Sequence, residues 1–210
     1  MNISNKFLTS RKNWNIDPTK ITIIDNFFNK ECLKMLKYRL LYTHKADHIY
    51  DNYYAVDYWN DDYLTSLIAK ELKNKIALPP FLRGWGFVYN NTGKGVPLHC
   101  DPSLVNLNIW LTSDKSVKNK LKNGLNIYKL KPPKHWTRQE WNENPNKAIK
   151  LIKNKKIKPI KIPYKYNRAV FFDGAYFHTS NEVSMKEGVE NKRVSFTMLF
   201  GEQLEKYEYI

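Results

Sequence analysis

Residues 96–111 read VPLHCDPSLVNLNIWL, and the rest of the chain is interpreted around this stretch. Apolar residues recur at every second position from Val105 to Leu111, which predicts a strand with one face toward a core. Just before it, His99 and Asp101 lie two positions apart, and alternate residues of a strand project to the same face. The pair is therefore placed to offer an imidazole nitrogen and a carboxylate oxygen to one metal ion.

Seven candidate strands, separated by turn residues, follow one another on both sides of this stretch. No helix alternates regularly with them, so the pattern predicts antiparallel strands in a sandwich or barrel rather than a parallel sheet. The fold class expected is mostly β with flanking helices (α+β). The candidate strands are residues 81–90, 96–101, 105–112, 124–130, 157–164, 168–173 and 193–200.

The front of the chain is helical in pattern. A strand over residues 21–27 is followed by Asn29, which is suited to cap a helix with leucines on one face. A second amphipathic helix is predicted from about residue 61 to residue 75. We expect one domain over residues 1–210, with a helical support region over 1–80 and a β core over 81–200.

A helical insertion is predicted within the β core, over residues 137–154. Thr137 and Glu140 have the spacing of a capping box, in which each residue satisfies a backbone N–H of the first turn. Pro145 is suited to the first position of a further helix. The insertion separates two of the candidate strands.

Composition restricts the classes of partner. The net charge of +15 comes from 29 lysines and only 6 arginines scattered along the chain, so a nucleic-acid partner is possible but not favoured. No apolar run approaches the roughly 20 residues of a membrane-spanning helix, and the first residues lack a secretory signal. We expect a cytoplasmic protein without a membrane partner, with Cys32 and Cys100 as free thiols.

A third metal ligand and an anion anchor are available downstream. His178 follows a strand and turn that antiparallel pairing can bring beside the first two ligands. Two histidines and one carboxylate leave three positions open on an octahedral ion, an arrangement that favours non-haem iron(II) over zinc. On the last strong strand, Arg193 can pair with a remote carboxylate while Ser195 adds a hydrogen bond.

The segment from Tyr89 to Phe200 resembles the double-stranded β-helix (jelly-roll or cupin-like) core of the iron(II)/2-oxoglutarate-dependent oxygenase superfamily. The shared pattern is HxD, then a distal histidine, then an arginine or lysine. NLNIWLTSD, GLNIY and ENKRVSFTMLFG resemble a group of small microbial members. The opening IIDNFFNKECLKML resembles the strand and helix that begin prolyl-hydroxylase-like members.

The resemblance implies an enzyme that uses iron(II), 2-oxoglutarate and O2 to hydroxylate a substrate, with release of succinate and CO2. It also implies a role for each matching residue, either on the iron or near the co-substrate. The implied iron ligands are His99, Asp101 and His178; the implied co-substrate residues are Arg193, Ser195, Tyr89 and Asn108.

Two other functions stay open at this point. Nucleic-acid-directed oxidative demethylases of this superfamily usually carry a second arginine shortly after the first on the same strand, and RVSFTMLFG has none. A non-catalytic, cupin-like metal-binding module would keep the triad but has no need of Arg193 and Ser195. The substrate, a small molecule or a protein side chain, and the oligomeric state are not determined by the sequence.

Overall fold

The computed structural model describes residues 6–10, 17, 20–43, 45–59, 62–120 and 122–202. Twelve strands and three α-helices are found in these ranges. In chain order they are β1 (Thr22–Asp25), α1 (Lys30–Tyr38), β2 (His48–Ile49), β3 (Tyr53–Trp59), α2 (Tyr63–Lys73), β4 (Phe81–Tyr89), β5 (Thr92–Gly93), β6 (Ser103–Trp110), β7 (Leu125–Tyr128), α3 (Pro145–Asn154), β8 (Ile160–Ile162), β9 (Arg168–Phe172), β10 (Phe177–Ser180), β11 (Val183–Ser184) and β12 (Val194–Glu202).

The strands form two facing sheets and one small ribbon. The major sheet has seven strands in the order β1-β9-β6-β12-β4-β3-β2, the minor sheet has the order β10-β7-β8, and β11 pairs with β5. Every pairing is antiparallel. The predicted fold class, mostly β with flanking helices, is confirmed.

Helix α1 forms where the sequence predicted it. The Asn29 side chain accepts a hydrogen bond of 2.8 Å from the backbone N–H of Cys32, which satisfies a donor of the first turn. Leu33, Leu36 and, on the π-helical turn that continues the helix, Leu40 are buried against the major sheet. The apolar spacing of this segment is therefore explained by packing on the sheet.

Helix α2 is capped by Asp62, whose carboxylate accepts a 2.8 Å hydrogen bond from the N–H of Thr65. The same carboxylate pairs with Arg39 at 2.7 Å, which ties the start of α2 to the segment after α1. The helix occupies most of the predicted range of residues 61–75. Both helices cover the outer face of the major sheet.

Strand β6 divides its residues between two environments. Leu107 and Ile109 face the helices in the largest apolar cluster. On the opposite face, Asn106, Asn108 and Trp110 lie toward the space between the two sheets, where Trp110 packs against the minor sheet. The polar set of the alternating pattern therefore faces the interior of the β-sandwich.

The strand predicted for residues 96–101 is wrong. In the described structure this segment contains one isolated bridge, at His99, and no regular strand. Pro97 has no N–H to give to a ladder, and the N–H of Cys100 donates to the carbonyl of Trp141 in the insertion at 3.3 Å. Contacts with distant segments, rather than a strand ladder, hold this part of the backbone.

The hairpin of β2 and β3 was not predicted. Strand β3 reads YYAVDYW and pairs with β4 along its whole length, so the region before residue 80 contributes strands to the major sheet as well as helices. Its sequence shows no clean period of two because both faces carry aromatic residues. One face packs under the helices, and the other extends the inner face of the sheet.

The insertion lies where it was predicted. A π-helical turn over Gln139–Glu143 precedes α3, and Asn144 caps α3 by accepting a 3.1 Å hydrogen bond from the N–H of Lys147. Its buried side chains pack against Cys100 and its neighbours, beneath the segment that carries the first two metal-ligand candidates. Among the helices in the described ranges, none has the length and hydropathy needed to cross a membrane.

Candidate metal centre and anion site

The backbone brings the two candidate histidines face to face. The N–H of His99 donates to the carbonyl of His178 at 3.0 Å, and the N–H of His178 donates to the carbonyl of His99 at 2.7 Å. The N–H of Asp101 donates to the carbonyl of Gly174 at 2.8 Å, in the turn before β10. Three main-chain contacts therefore bring the HxD segment and the distal histidine together.

The three side chains converge on one point. His99, Asp101 and His178 each offer a ligand atom, and these atoms lie within 4.8 Å of one another. The Nε2 atom of His99 is 3.8 Å from Oδ1 of Asp101, and Nε2 of His178 is 3.4 Å from Oδ2. Within the described ranges this is the one group of three or more histidine, cysteine or acidic side chains that is arranged to hold a metal ion.

Backbone carbonyls fix which nitrogen of each imidazole carries its proton. Nδ1 of His99 lies 2.7 Å from the carbonyl oxygen of Pro97, and Nδ1 of His178 lies 2.9 Å from that of Tyr176. A carbonyl only accepts, so Nδ1 is the donor in each ring. In the neutral rings both Nε2 atoms therefore keep a lone pair directed toward Asp101, which is the tautomer that a metal requires.

The ionisation states also suit a cation. Burial, and then the nearby charge of His178, lower the pKa of His99 to about 4. Burial alone would raise the pKa of Asp101, but hydrogen bonding and the charges of the two histidines outweigh it and lower that pKa to about 2. At neutral pH the site therefore presents a neutral His99 and a carboxylate, the forms that bind metal ions.

A buried guanidinium lies at the other end of the site. The side chain of Arg193 is fully buried, with its guanidinium carbon 4.4 Å from the centre of the Tyr89 ring. Its Nη2 donates to the hydroxyl of Ser180 at 3.4 Å, and the Tyr89 hydroxyl lies 3.3 Å from the same oxygen. Its Nε and Nη1 atoms are buried and have no hydrogen-bond partner in the described structure.

The electrostatics of Arg193 indicate an anion. Burial lowers its pKa, yet a guanidinium keeps its proton in proteins. A buried cation is costly unless a counter-charge and hydrogen-bond acceptors surround it. The unpartnered donors of this buried cation therefore make this end of the site suited to an anionic ligand such as a carboxylate.

One cavity is lined by the triad and by two residues that contact Arg193. The triad lies on one side, and Ser180 and Tyr89, which contact Arg193, lie on another. Asn108 contributes a buried amide oxygen without a partner among the described residues. The cavity is lined by Trp85, Phe87, Tyr89, Val96, His99, Asp101, Asn106, Asn108, Leu125, His178, Ser180 and Thr197.

The structure places the remaining sequence candidates as follows. Tyr89 and Asn108 line the cavity, and their role at the co-substrate stays a prediction. Ser195 is buried on β12, two residues after Arg193 and on the same face of the strand, and its role at the co-substrate stays a prediction. The hydroxyl that contacts the guanidinium belongs to Ser180.

Sequence reasoning missed Ser180 and Asn106. Ser180 follows His178 by two residues on β10, so strand alternation alone would have placed it on the same face. Asn106 is the first of the two asparagines that alternate on β6, and it donates to the Asp101 carboxylate. No local signal distinguishes it from Asn108.

Comparisons with known proteins give matches at the level of structure. No family profile matches the chain, and no curated protein sequence matches it. Among solved structures, the epimerase SnoN from nogalamycin biosynthesis, in complex with Fe3+, alpha ketoglutarate and nogalamycin RO, matches with a TM-score of 0.60 at 11% identity, over 87% of this chain and 80% of that chain.

Two further solved structures match over a similar share of this chain. HygX from Streptomyces hygroscopicus, with nickel and 2-oxoglutarate bound, has a TM-score of 0.53 at 9% identity, over 87% of this chain and 84% of that chain. A prolyl 4-hydroxylase from Phytophthora capsici has a TM-score of 0.51 at 12% identity, over 88% of this chain and 60% of that chain. At these identities the likeness establishes the fold, which is the double-stranded β-helix found in non-haem iron, 2-oxoglutarate-dependent enzymes.

Proposed function

We propose that this chain is an iron(II)- and 2-oxoglutarate-dependent oxygenase that hydroxylates a substrate and releases succinate and CO2. His99, Asp101 and His178 hold the iron, and Arg193 holds the far carboxylate of 2-oxoglutarate. The observation that carries the proposal is one cavity lined by a metal-type triad and by two residues that contact an unsatisfied, buried guanidinium.

The donor set fits ferrous iron. Two imidazole nitrogens with fixed tautomers and one carboxylate form the ligand set that leaves open positions on an octahedral ion. Structural zinc sites are instead closed by four protein ligands, usually with cysteine among them. Here the cysteine between the ligands, Cys100, packs away from the triad in the apolar cluster of the insertion.

The donors around Arg193 fit a dicarboxylate. 2-Oxoglutarate carries an oxo-acid group at one end, suited to a metal ion, and a second carboxylate at the other. The unpartnered Nε and Nη1 donors leave the Arg193 guanidinium able to give that second carboxylate charge-assisted hydrogen bonds. The Ser180 hydroxyl accepts a hydrogen bond from Nη2 of the same guanidinium.

The bound iron and 2-oxoglutarate would supply the oxidising chemistry itself. The chain supplies position and a water-poor environment. The triad residues orient the metal, Arg193 and Tyr89 hold the far carboxylate, and Asn108 presents an amide to the cavity between them. The substrate is a small molecule or a protein side chain.

The aromatic side of the cavity is left for that substrate. Trp85 and Phe87 lie on β4 at alternate positions after Arg83, are partly exposed, and line the cavity beyond Tyr89. Their rings are in edge contact with a centroid separation of 6.2 Å. Trp85 and Phe87 therefore give the cavity that holds the triad an apolar surface. They lie on the major sheet, which has seven strands against three in the minor sheet.

Arg193 favours an enzyme over a metal-binding module. A module that only binds a metal has no use for a buried guanidinium with two unpartnered donors, which costs stability unless an anion binds. The co-substrate accounts for that cost. The nucleic-acid-directed alternative has no comparable support among the described contacts.

Anaerobic titration of the apo protein with iron(II) and 2-oxoglutarate tests the proposal. We expect the weak visible metal-to-ligand charge-transfer band of a bound 2-oxo acid. His99→Ala should remove the band by removing the metal, whereas Arg193→Leu should require much more 2-oxoglutarate to reach it. If wild type binds neither component, the proposed function is wrong.

A further inference from the structure

A buried polar chain lies behind the Asp101 carboxylate. The amide Nδ2 of Asn106 donates to Oδ2 of Asp101 at 2.5 Å, and the hydroxyl of Ser103 donates to Oδ1 of Asn106. All three side chains are buried. The chain starts on β6 and ends on the residue that supplies the only negative charge of the triad.

The direction of each hydrogen bond in this chain is determined. An ionised carboxylate only accepts, so the NH2 group of Asn106 must face Asp101. The amide oxygen then faces Ser103, whose hydroxyl is the donor. A hydrogen bond to a charged acceptor is worth more than a neutral one, so this orientation of the amide is strongly favoured over the flipped one.

Asp101 needs such support because no strand ladder holds it. Its N–H is fixed by the carbonyl of Gly174, but its side chain extends from an irregular segment. Asn106, by contrast, lies in the middle of the major sheet, paired with Leu199 on one side and Phe172 on the other. A rigid strand therefore supports a ligand carried on a less regular segment.

The turn at Gly174 closes around the chain. A Cβ atom at this position would lie 2.2 Å from the Ser103 hydroxyl and 2.7 Å from Oδ1 of Asn106. A side chain there would displace both polar groups. The absence of one lets the turn pack directly against the Ser103–Asn106 pair.

We propose that Asn106 is a positioning residue for the metal: by donating to Oδ2 of Asp101 it fixes the orientation of the carboxylate between the two histidines. In this orientation Oδ1 lies 3.8 Å from Nε2 of His99 and Oδ2 lies 3.4 Å from Nε2 of His178, so the carboxylate faces both imidazoles. Asn106 acts through Asp101 and does not itself bind the ion. This inference rests on the proposed function, because it needs a metal held by the triad.

Metal affinity and the Co(II) absorption spectrum test the role of Asn106. Asn106→Leu keeps the approximate size and removes the donor, and Asn106→Ala removes the donor without crowding. Partners outside the ligand set typically change metal affinity by about tenfold to a hundredfold. We expect the dissociation constants of Co(II) and Fe(II), measured anaerobically by calorimetry, to rise within that range, and the visible Co(II) bands to change shape.

Asn123→Leu is the matched control. Asn123 is also a buried asparagine, and its amide nitrogen donates two hydrogen bonds, to the carbonyls of Asn119 and Ser184. Its loss should lower the melting temperature of the apo protein and leave metal affinity unchanged. If Asn106 has a purely structural role, its variants will also melt at a lower temperature but keep the wild-type metal affinity and Co(II) spectrum. That result would overturn the inference.

Ser103→Ala provides a second, milder perturbation. It leaves the donor to Asp101 in place but frees the amide oxygen, so we expect a smaller loss of metal affinity than in either Asn106 variant. If wild type and the Asn106 variants bind Co(II) and Fe(II) equally well, this inference fails while the proposed function stands. If wild type itself binds no metal, the proposed function fails and this inference fails with it.

Discussion

The two ends of the cavity are built differently. At the metal end, each histidine ring is held by a backbone carbonyl, and the Asp101 carboxylate is held by Asn106. At the other end, Arg193 is buried with two donors that find no acceptor among the described residues. The protein supplies the hydrogen-bond partners that orient the triad, but among the described residues it supplies none for these two donors of Arg193.

This difference predicts how each end contributes to the free energy of folding and to the free energy of ligand binding. The ligand side chains at the metal end lose their conformational freedom during folding, so they are already in place when an ion arrives. The Arg193 end carries an unsatisfied charge in the free protein, and an anion that neutralises it recovers that cost as binding energy. Variants of the two ends should therefore differ in their effects on affinity and on stability.

The largest expected effect is at the metal end. His178→Ala removes a ligand, and we expect Fe(II) and Co(II) affinity to fall by more than about a hundredfold, beyond the usual effect of partners outside the ligand set. His48→Ala is the matched control, since His48 on β2 is exposed and lies beside Asp57 on β3. Calorimetry on the apo proteins measures both; a His178→Ala protein within tenfold of wild type would contradict the assignment.

The next effect separates affinity from stability. Arg193→Leu should weaken 2-oxoglutarate binding to the metal-loaded protein by about 2–5 kcal/mol, as expected for a buried charge pair that loses one partner. Because the variant also removes an unsatisfied buried charge, the ligand-free protein should melt no lower than wild type.

Arg168→Leu is the contrasting variant for this prediction. Arg168 is paired with Asp25 at 2.7 Å, so its loss should lower the melting temperature and leave 2-oxoglutarate affinity unchanged. Calorimetric titration and thermal melts of both variants decide the matter. A large destabilisation of ligand-free Arg193→Leu would mean that the guanidinium is satisfied without a ligand.

A smaller effect is expected from the insertion beneath the metal end. The amide nitrogen of Asn142 donates to the carbonyl of Cys100 at 3.0 Å and so supports the backbone between two ligands. Asn142→Ala should raise the Co(II) dissociation constant by up to about fivefold, the equivalent of one ordinary hydrogen bond. Asn144→Ala, which removes the cap of α3, should instead cost about 1 kcal/mol of stability without affecting Co(II) binding.

The smallest effect lies outside the cavity. The Arg168 guanidinium, together with Lys165, lowers the pKa of Asp25 to about 2 against the opposing effect of partial burial. The stabilisation is therefore fully present above the ordinary pKa near 4 and is lost as the pH falls through about 2. Asp25→Asn should cost about 1 kcal/mol or less at pH 7 and progressively less as the pH falls through about 2, in denaturant melts over that range.

Local signals in the sequence predicted the elements that depend on local chemistry. Asn29 caps α1 as expected, and the alternation of β6 correctly separated a core face from a polar face. The pattern of HxD and a distal histidine also selected three side chains that the structure brings together. Each of these depends on residue type and short-range spacing.

What was missed depends on distant contacts. The segment around His99 has alternating residues but no ladder, because its N–H groups donate to carbonyls of two distant segments, the insertion and β10 with the turn that leads into it. Ser180 and Asn106 become relevant only once β10 and β6 lie beside Arg193 and Asp101. Hydrogen bonds of this kind leave no periodicity in the sequence.

The backbone bridge between His99 and His178 has a consequence for the rate at which the protein unfolds. It joins two segments that are roughly 80 residues apart, so closing it is entropically expensive for the unfolded chain. An ion bound by side chains from both segments would act as a reversible cross-link across that loop. The metal-loaded protein should therefore unfold more slowly than the apo protein, with a lifetime set by how quickly a chelator removes the ion.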